Sequence, residues 1–283
     1  MITTDYLSLL DRFNLIVKKR VTSSYVGSRV SSATGRGSTI KDHRIYATGD
    51  DFRLIDWKIY ARTDNLYIKR FEEERNLTVH VILDISNSMN FGAKMTKFEY
   101  AAMLGVGFAY LSLKENEKFQ FATFGETLNV FSPRKGMAHL ASMVQYLNEL
   151  KLRGGSKFLD SMRQYKKLIG SKAMLILLSD FLFDLDQIKE ALYLFSRHDL
   201  KLVHVLDPLE KNLNIEGDLK LKDLETKDEM QTFLSPNLKE TYKGKLMVHS
   251  TEIEKICSRL KADYNMISTD TPIFDAFYEI LKK

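Results

Sequence analysis

Three short stretches of this chain carry oxygen ligands at spacings that could hold a hard metal ion. The first is Asp84-Ile85-Ser86-Asn87-Ser88. Its carboxylate and two hydroxyls lie two residues apart, so a tight loop can turn all three to one side. The second is Gly154-Gly155-Ser156, where the glycines let the backbone bend close and Ser156 adds a hydroxyl. The third is Ser179-Asp180. Asp84, Ser86, Ser88, Ser156 and Asp180 together offer two carboxylates and three hydroxyls, with no Cys or His. That donor set suits Mg²⁺, with Mn²⁺ or Ca²⁺ as alternatives, and not zinc. Mg²⁺ takes six oxygens, so water or an incoming carboxylate must complete its shell. Asp-x-Ser-x-Ser alone is equally what a capped turn contains. The fold must bring the three stretches together before the metal reading gains on that one.

The flanking pattern predicts such a fold. The apolar run Leu77–Leu83 reads as a buried strand ending on Asp84, and Ala173–Leu178 as another ending on Ser179-Asp180. A helix over Phe158–Ile169 begins just after Ser156. Around them we expect helices at Met95–Leu113, Met137–Leu152, Leu185–Arg197, Met247–Ala262 and Ile273–Leu281. Further strands are expected at Phe119–Phe124, Leu128–Phe131, Lys201–Leu206 and Tyr264–Ser268. Strands alternating with helices mean βαβ crossovers, hence an α/β fold with a doubly wound, mainly parallel sheet flanked by helices. In such sheets functional groups gather at the carboxyl ends of the strands. Residues 212–235 interrupt the alternation and read as an inserted β-hairpin.

Upstream, Tyr6, Leu9, Leu10, Phe13, Ile16 and Val17 recur at helical spacing, and Ser23–Ser38 reads as loop. Ile45–Arg75 reads as short strands and turns, with Trp57 as a buried anchor. We therefore place an N-terminal helix and β-rich appendage at 1–75 and the α/β domain at 76–283. Arg53, Arg62 and Arg70 lie among Asp50, Asp51, Asp56 and Glu72–Glu74, a mixture that either satisfies itself as a salt-bridged scaffold or forms a docking surface. The self-satisfying reading is the one we expect.

Composition excludes several classes. Lys and Arg number 42 against 37 Asp and Glu, and the net +5 is interspersed, so we expect no nucleic-acid partner. The single cysteine, Cys257, rules out an intrachain disulfide and a cysteine zinc site, and its amphipathic surroundings predict a buried thiol. Met1–Arg20 lacks the pattern of a secretory leader, and no run approaches the ~20 apolar residues that span a bilayer. On these grounds the expected compartment is cytoplasmic, with no direct membrane span. Gly35-Arg36-Gly37-Ser38 lacks the Gly-Lys-Ser/Thr ending of a phosphate loop. Gly105 and Gly107 sit inside an apolar helical stretch and predict close packing. None of the six histidines has a metal-pair or triad spacing, and His204, in an apolar strand, reads as a satisfied core residue.

The Asp-x-Ser-x-Ser, Gly-Gly-Ser and strand-terminal Asp pattern resembles the metal-ion-dependent adhesion site of von Willebrand factor A-type domains, over Leu77 to about Lys283. That family usually has Thr where Ser156 stands, and often Gly where Phe181 follows Asp180; the latter would alter the partner-facing rim. Gly35-Arg36-Gly37, Tyr46-Ala-Thr-Gly49-Asp50-Asp51-x-Arg53-x-Ile55-Asp56-Trp57-Lys58, Ala61-Arg62-Thr63, Glu72–Arg75, Ser179-Asp180-Phe181 and Asp207-Pro208-x-Glu210 resemble the signature of the bacterial domain-of-unknown-function 58 proteins. This second resemblance covers nearly the whole chain. It implies an A-type domain and association with a MoxR-type AAA+ ATPase, for which the protein would act as an adaptor in complex assembly or maturation.

The expected function is a non-enzymatic, metal-dependent binding module that captures an Asp or Glu carboxylate of a protein partner. A phosphoesterase-like hydrolase is the enzymatic alternative, since Asp84 resembles a phosphotransferase nucleophile. Ser86 stands where such enzymes carry a second Asp, which removes the obvious general acid. A scaffold with a degenerate metal site is the third reading.

Overall fold

The computed structural model describes residues 2, 5–11, 34–72, 78–134, 136–213, 218–222, 229–233 and 235–282. They fall into two compact units, one of Met1–Ile16 with Leu77–Lys283 and one of Val17–Asn76. The first helix, α1 (residues 5–11), belongs to the larger unit. Tyr6 and Leu10 are buried, and the Tyr6 hydroxyl donates to the Met103 carbonyl at 2.6 Å. Ile2 and Asn148 exchange backbone–amide hydrogen bonds at 3.1 Å each way. This corrects the expected grouping of helix and appendage over 1–75. An apolar stripe packs where a matching face exists, whatever its neighbour in sequence. The expected extension of the helix to Val17 and the loop Ser23–Ser38 up to residue 33 lie outside the described residues.

In the smaller unit β1 (Thr34–Ile45) pairs antiparallel with β2 (Tyr67–Glu72). Between them lie a 3₁₀ turn (Phe52–Leu54) and α2 (Trp57–Thr63), where only strands and turns were expected. The carboxylates explain both. Asp50 accepts from the Ala47 amide (2.8 Å) and Arg44 (2.6 Å), and Asp51 accepts from the Arg53 amide (2.9 Å). Asp56 caps α2 through the Lys58 and Ile59 amides (3.0 and 3.3 Å) and also meets His43 at 3.0 Å. The expected self-satisfaction holds for Asp50, Asp51 and Asp56, which act as caps and turn clasps, while Arg53 and Arg62 are exposed and the side chains of Arg70 and Glu72–Glu74 lie outside the described residues. Trp57 is not a buried anchor. It is 61% exposed and edge-on to Tyr60, because Ile55 and Ile68 fill the unit's small interior.

The larger unit is built on six strands. In chain order come β3 (Thr78–Asp84), α3 (Lys97–Lys114), β4 (Lys118–Phe124), β5 (Leu128–Val130), α4 (Met137–Glu149), α5 (Phe158–Lys166), β6 (Met174–Ser179), α6 (Leu185–Leu194), β7 (Asp199–Leu206) and α7 (Pro208–Asn212). The hairpin β8 (Asp218–Lys222) and β9 (Glu229–Phe233) follows as expected, then α8 (Pro236–Leu260), β10 (Asp263–Ser268) and α9 (Ile273–Lys282). The sheet order is β10-β7-β6-β3-β4-β5, parallel throughout except for β5. Strands β3 and β6 are central and buried almost end to end, as their unbroken apolar runs require.

Alternation along the strands separates two helical layers. Val81 and Phe121 face α3, which approaches closely because Gly105 leaves room for them. Gly107 does the same for the Phe277 ring of α9. Ile82, Ala122, Leu175 and Leu177 face the other way, into a core with Phe158 and Tyr165 of α5, Ile188 and Leu192 of α6, and Ile253 and Cys257 of α8. The sequence reading started α8 at Met247. Its actual start is set by the Ser235 cap and Pro236 at the first turn, and the added turns are largely exposed, so no apolar stripe marks them.

Candidate metal centre

The chain leaves β3 and continues to β4 on one side, whereas β6, β7 and β10 are laid down on the other. The switch point of the sheet therefore lies beside β3, and the crevice outside the carboxyl ends of β3 and β6 is where ligands enter such folds. Every predicted ligand sits there, on three loops joined by hydrogen bonds.

Asp84 closes β3 and is fully buried. One carboxylate oxygen accepts from the Ser86 amide at 2.8 Å, the other from the Ser179 hydroxyl at 2.6 Å. The latter bond spans 95 residues of chain and ties the end of β6 to the end of β3. Ser86 is buried, and its hydroxyl lies 3.0 Å from that of Ser88. The loop of Ser156 leans on the same turn: the Gly154 carbonyl accepts from the Asn87 amide at 3.0 Å. Gly154 has φ +72°, a left-handed backbone that favours glycine, and a Cβ there would also have to displace the Glu126 side chain. The Ser156 hydroxyl is a buried oxygen with no hydrogen-bond partner. An orphan of this kind is uncommon and asks for a ligand.

Burial drives the Asp84 carboxyl up to about 7, and the neighbouring Asp180 charge pushes it the same way, against the hydrogen bonds from Ser179 and Ser86. A carboxylate in that position gains from any cation placed beside it.

Asp180 is brought to the cluster but is already engaged. Lys97 Nζ donates to Asp180 Oδ2 at 2.8 Å and to Glu210 Oε1 at 2.6 Å, and the lysine side chain is wholly buried. Sequence reasoning missed Lys97. It is the first residue of α3, behind a capping box of Thr96 and Glu99, and nothing in the pattern marks a lysine in that exposed-looking turn as buried. Paired acids hold it charged: burial opposes its proton, but Asp180 and Glu210 outweigh burial and raise the ammonium. Glu210 also accepts from the Asp207 amide at 3.1 Å, while Asp207 caps α7 through Leu209 at 2.8 Å. The Asp207-Pro208-x-Glu210 motif is thus a helix cap whose glutamate doubles as the counter-ion of Lys97.

Phe181, expected on the rim, is buried instead. It takes a left-handed backbone (φ +49°), packs edge-on to His204, and leaves Leu182 exposed in its place. Non-glycine residues adopt that conformation at a cost and concentrate at functional turns. His204 Nδ1 lies 2.6 Å from the Tyr264 hydroxyl, but its Nε2 is buried with no hydrogen-bond partner among the described residues, so the expected satisfied core residue is only half satisfied. Cys257 is buried, and burial pushes its thiol up to about 12.

The donor set fits a hard cation in one respect and limits it in another. The orphaned Ser156 hydroxyl and the Ser86–Ser88 pair beside Asp84 are oxygen donors on two turns bonded to each other. Among the described residues, however, no group of three or more His, Cys, Asp or Glu side chains is placed to hold a metal, so a cation here depends on serine hydroxyls.

The sheet order, the helices on both faces and the loop cluster at the switch point define a von Willebrand factor A-like α/β domain. A family profile described as "Protein of unknown function DUF58" matches residues 42–252, and the chain belongs to that family. Among its relatives is the uncharacterized protein Rv1480 of Mycobacterium tuberculosis, 23% identical over 269 residues, spanning 92% of this chain and 84% of that protein. The uncharacterized protein YeaD of Bacillus subtilis is 26% identical over 136 residues, 48% of this chain and 32% of that protein. Among solved structures, the conserved hypothetical protein BatB from Bacteroides thetaiotaomicron superimposes with a TM-score of 0.44 at 16% identity, covering 73% of this chain and 100% of that one. The SpRpn10 VWA domain gives 0.44 at 14%, covering 72% and 94%.

The expected cytoplasmic location is corrected by the same comparisons. One neighbour is described as an aerotolerance-related membrane protein from Bacteroides fragilis, at a TM-score of 0.45, 16% identity, 73% of this chain and 98% of that one. The expectation had rested on the absence of a leader and of an apolar span, and absence does not specify a compartment. Among the described residues no helix is long and apolar enough to cross a membrane.

Proposed function

We propose that this protein is a non-enzymatic, cation-dependent protein-binding module. Asp84, Ser86, Ser88 and Ser156 would hold a Mg²⁺ ion, or Mn²⁺ or Ca²⁺, with Asp180 at its border. When bound, the ion would supply a coordination position for an Asp or Glu carboxylate of a protein partner. The observation that carries this reading is the buried, partnerless Ser156 hydroxyl, set on a loop bonded to the Asp84–Ser88 turn. The family resemblance makes a MoxR-type AAA+ ATPase, or a protein it remodels, the partner to test first. Phe52, Trp57 and Tyr60 on the smaller unit are exposed, which supports an interaction role, since exposed aromatics are enriched at interfaces. The hydrolase reading has no support in the geometry: His80 is held by the Tyr165 hydroxyl at 2.7 Å inside the core, and Ser86 cannot replace a carboxylic acid as proton donor.

The test is pull-down of a MoxR-type AAA+ ATPase by the native chain and by Asp84→Ala, each with Mg²⁺ and with chelator. Capture should require both Asp84 and the ion. Equal capture in all four samples would refute the metal-dependent reading.

A further inference from the structure

Lys97 raises a question that the binding reading leaves open: why a cation site should contain its own buried ammonium. The lysine side chain is fully buried and that of Asp180 is 1% exposed. The lysine has no role in the helix cap beside it, because Thr96 and Glu99 satisfy that turn between themselves. It reaches past Phe91, with Nζ 5.9 Å from the ring centroid, to join the end of β6 to the start of α7. A buried charge persists only when its partners hold it tightly, and this one has two carboxylates.

The consequence for the site is electrostatic. Asp84 and Asp180 lie close enough for the charge of Asp180 to raise the Asp84 carboxyl. One of those two acids is engaged by Lys97 through its Oδ2, while its Oδ1 faces the Leu182 amide at 3.4 Å. Among the described residues Asp84 has no such cation; its partners are the Ser179 hydroxyl and the amide and side chain of Ser86.

We propose that Lys97 withholds Asp180 from the divalent ion, so that Asp84 is the only carboxylate ligand and Ser86, Ser88 and Ser156 supply the remaining protein oxygens. This rests on the cation-binding reading above and adds its determinant of affinity. With a single carboxylate the ion is held weakly, exchanges readily, and retains most of its charge for an acidic partner. Freeing Asp180 would convert the site into a tighter, two-carboxylate one with less charge left to offer.

Calorimetric titration of the full chain with Mn²⁺ and with Mg²⁺ tests this, on the native protein, Asp84→Asn, Lys97→Met, Lys97→Arg and the double variant Lys97→Met/Asp180→Asn. Asp84→Asn should abolish binding, which tests the reading underneath. Lys97→Met should tighten binding by at least about tenfold, because an unpaired carboxylate now faces the ion. Lys97→Arg should bind like the native chain. The double variant removes both members of the pair and should return to within about threefold of native affinity, since Asp180 is not a ligand. Native-like or weaker binding by Lys97→Met overturns the proposal. So does a double variant as deficient as Asp84→Asn, and this comparison still decides if the single variant does not fold, circular dichroism reporting which variants do. Binding by Lys97→Met but not by the native chain would sink metal loading in the native protein while upholding the role of Lys97.

Discussion

Removing the Ser179 hydroxyl should expose how the buried Asp84 carboxylate is maintained. Ser179 donates to Asp84 at 2.6 Å and accepts from the Phe181 amide at 3.0 Å, with Ser179 and both partners fully buried. In Ser179→Ala the carboxylate loses a charge-assisted bond, an effect of about 1.5–3 kcal/mol, and the Phe181 N–H is left unpaired at about 1–3 kcal/mol. The two overlap, since both relax together, and we expect a total of about 3 kcal/mol near pH 8.5 in chelator. The Asp84 carboxyl sits at about 7, above its ordinary value, so without metal it is protonated in the fold at acid pH and ionised at alkaline pH. The bond from Ser179 favours the ionised form. The loss should therefore shrink, to about 2 kcal/mol near pH 5.5, where only a neutral hydrogen bond is broken. That difference of about 1 kcal/mol corresponds to a further rise of about 0.7 in the Asp84 pKa. Urea unfolding followed by far-ultraviolet circular dichroism gives both numbers. Fluorescence would not serve, because the single tryptophan, Trp57, lies in the smaller unit. A loss below about 0.5 kcal/mol at both pH values, or a larger loss at the acid one, would refute this account of the site.

Two further outcomes follow from packing and linkage. A Cβ on Gly107 would lie 2.0 Å from Phe277 Cζ, so Gly107→Ala should destabilise by about 1–2 kcal/mol, overpacking exceeding the gain in helix propensity. Gly105→Ala meets Val81 and Phe121 only at 3.1–3.2 Å, and urea midpoints should place it within about 0.5 kcal/mol of native. The pH dependence should separate Asp84 from the histidines. Burial lowers His80 to about 4, with His198 contributing, and burial lowers His204 to about 4. Both histidines stabilise the fold above their unfolded value, and that contribution is lost as pH falls toward about 4. Asp84, raised, acts oppositely: its contribution is present at low pH and lost as pH rises through about 7. Asp84→Asn in chelator should therefore steepen the acid-side fall of stability by about one proton, near 1.4 kcal/mol per pH unit. An unchanged slope would mean that Asp84 is ionised throughout.

The strand-and-helix alternation was readable because the central strands β3 and β6 are short, near-continuous apolar runs and most helices bury one stripe. The ends β3 and β6, which place Asp84 and Ser179-Asp180, could be located almost to the residue for that reason. What escaped was whatever depends on a cap or on a distant partner. Asp56 starts α2 and Ser235 starts α8 by hydrogen bonds that carry no periodicity. Tyr6 and Leu10 announced a helix but not the face they would cover. Lys97 reads as a solvated lysine until the fold sets two carboxylates against it from 83 and 113 residues away. Phe181 was expected to alter the rim because the adhesion sites it resembles often carry Gly at that position; here the residue takes a left-handed backbone and its ring is buried.

These misses bear on how the site works. A cluster of acids at a strand edge would ordinarily need a metal to be stable. Here the internal arrangement largely dispenses with one. Asp180 and Glu210 share the Lys97 ammonium, and Asp84, pushed up by burial, can carry its own proton near neutrality. The loops around it are fixed by bonds that involve no ion, from the Gly154 carbonyl to the Asn87 amide and from Ser179 to Asp84. In the proposed reading, the fold does not depend on the cation, and cation binding competes with a single proton. A partner's carboxylate would strengthen that cation binding by completing the shell, and by reciprocity the cation would strengthen binding of the partner. Partner and ion would then assemble together on a crevice that is already formed.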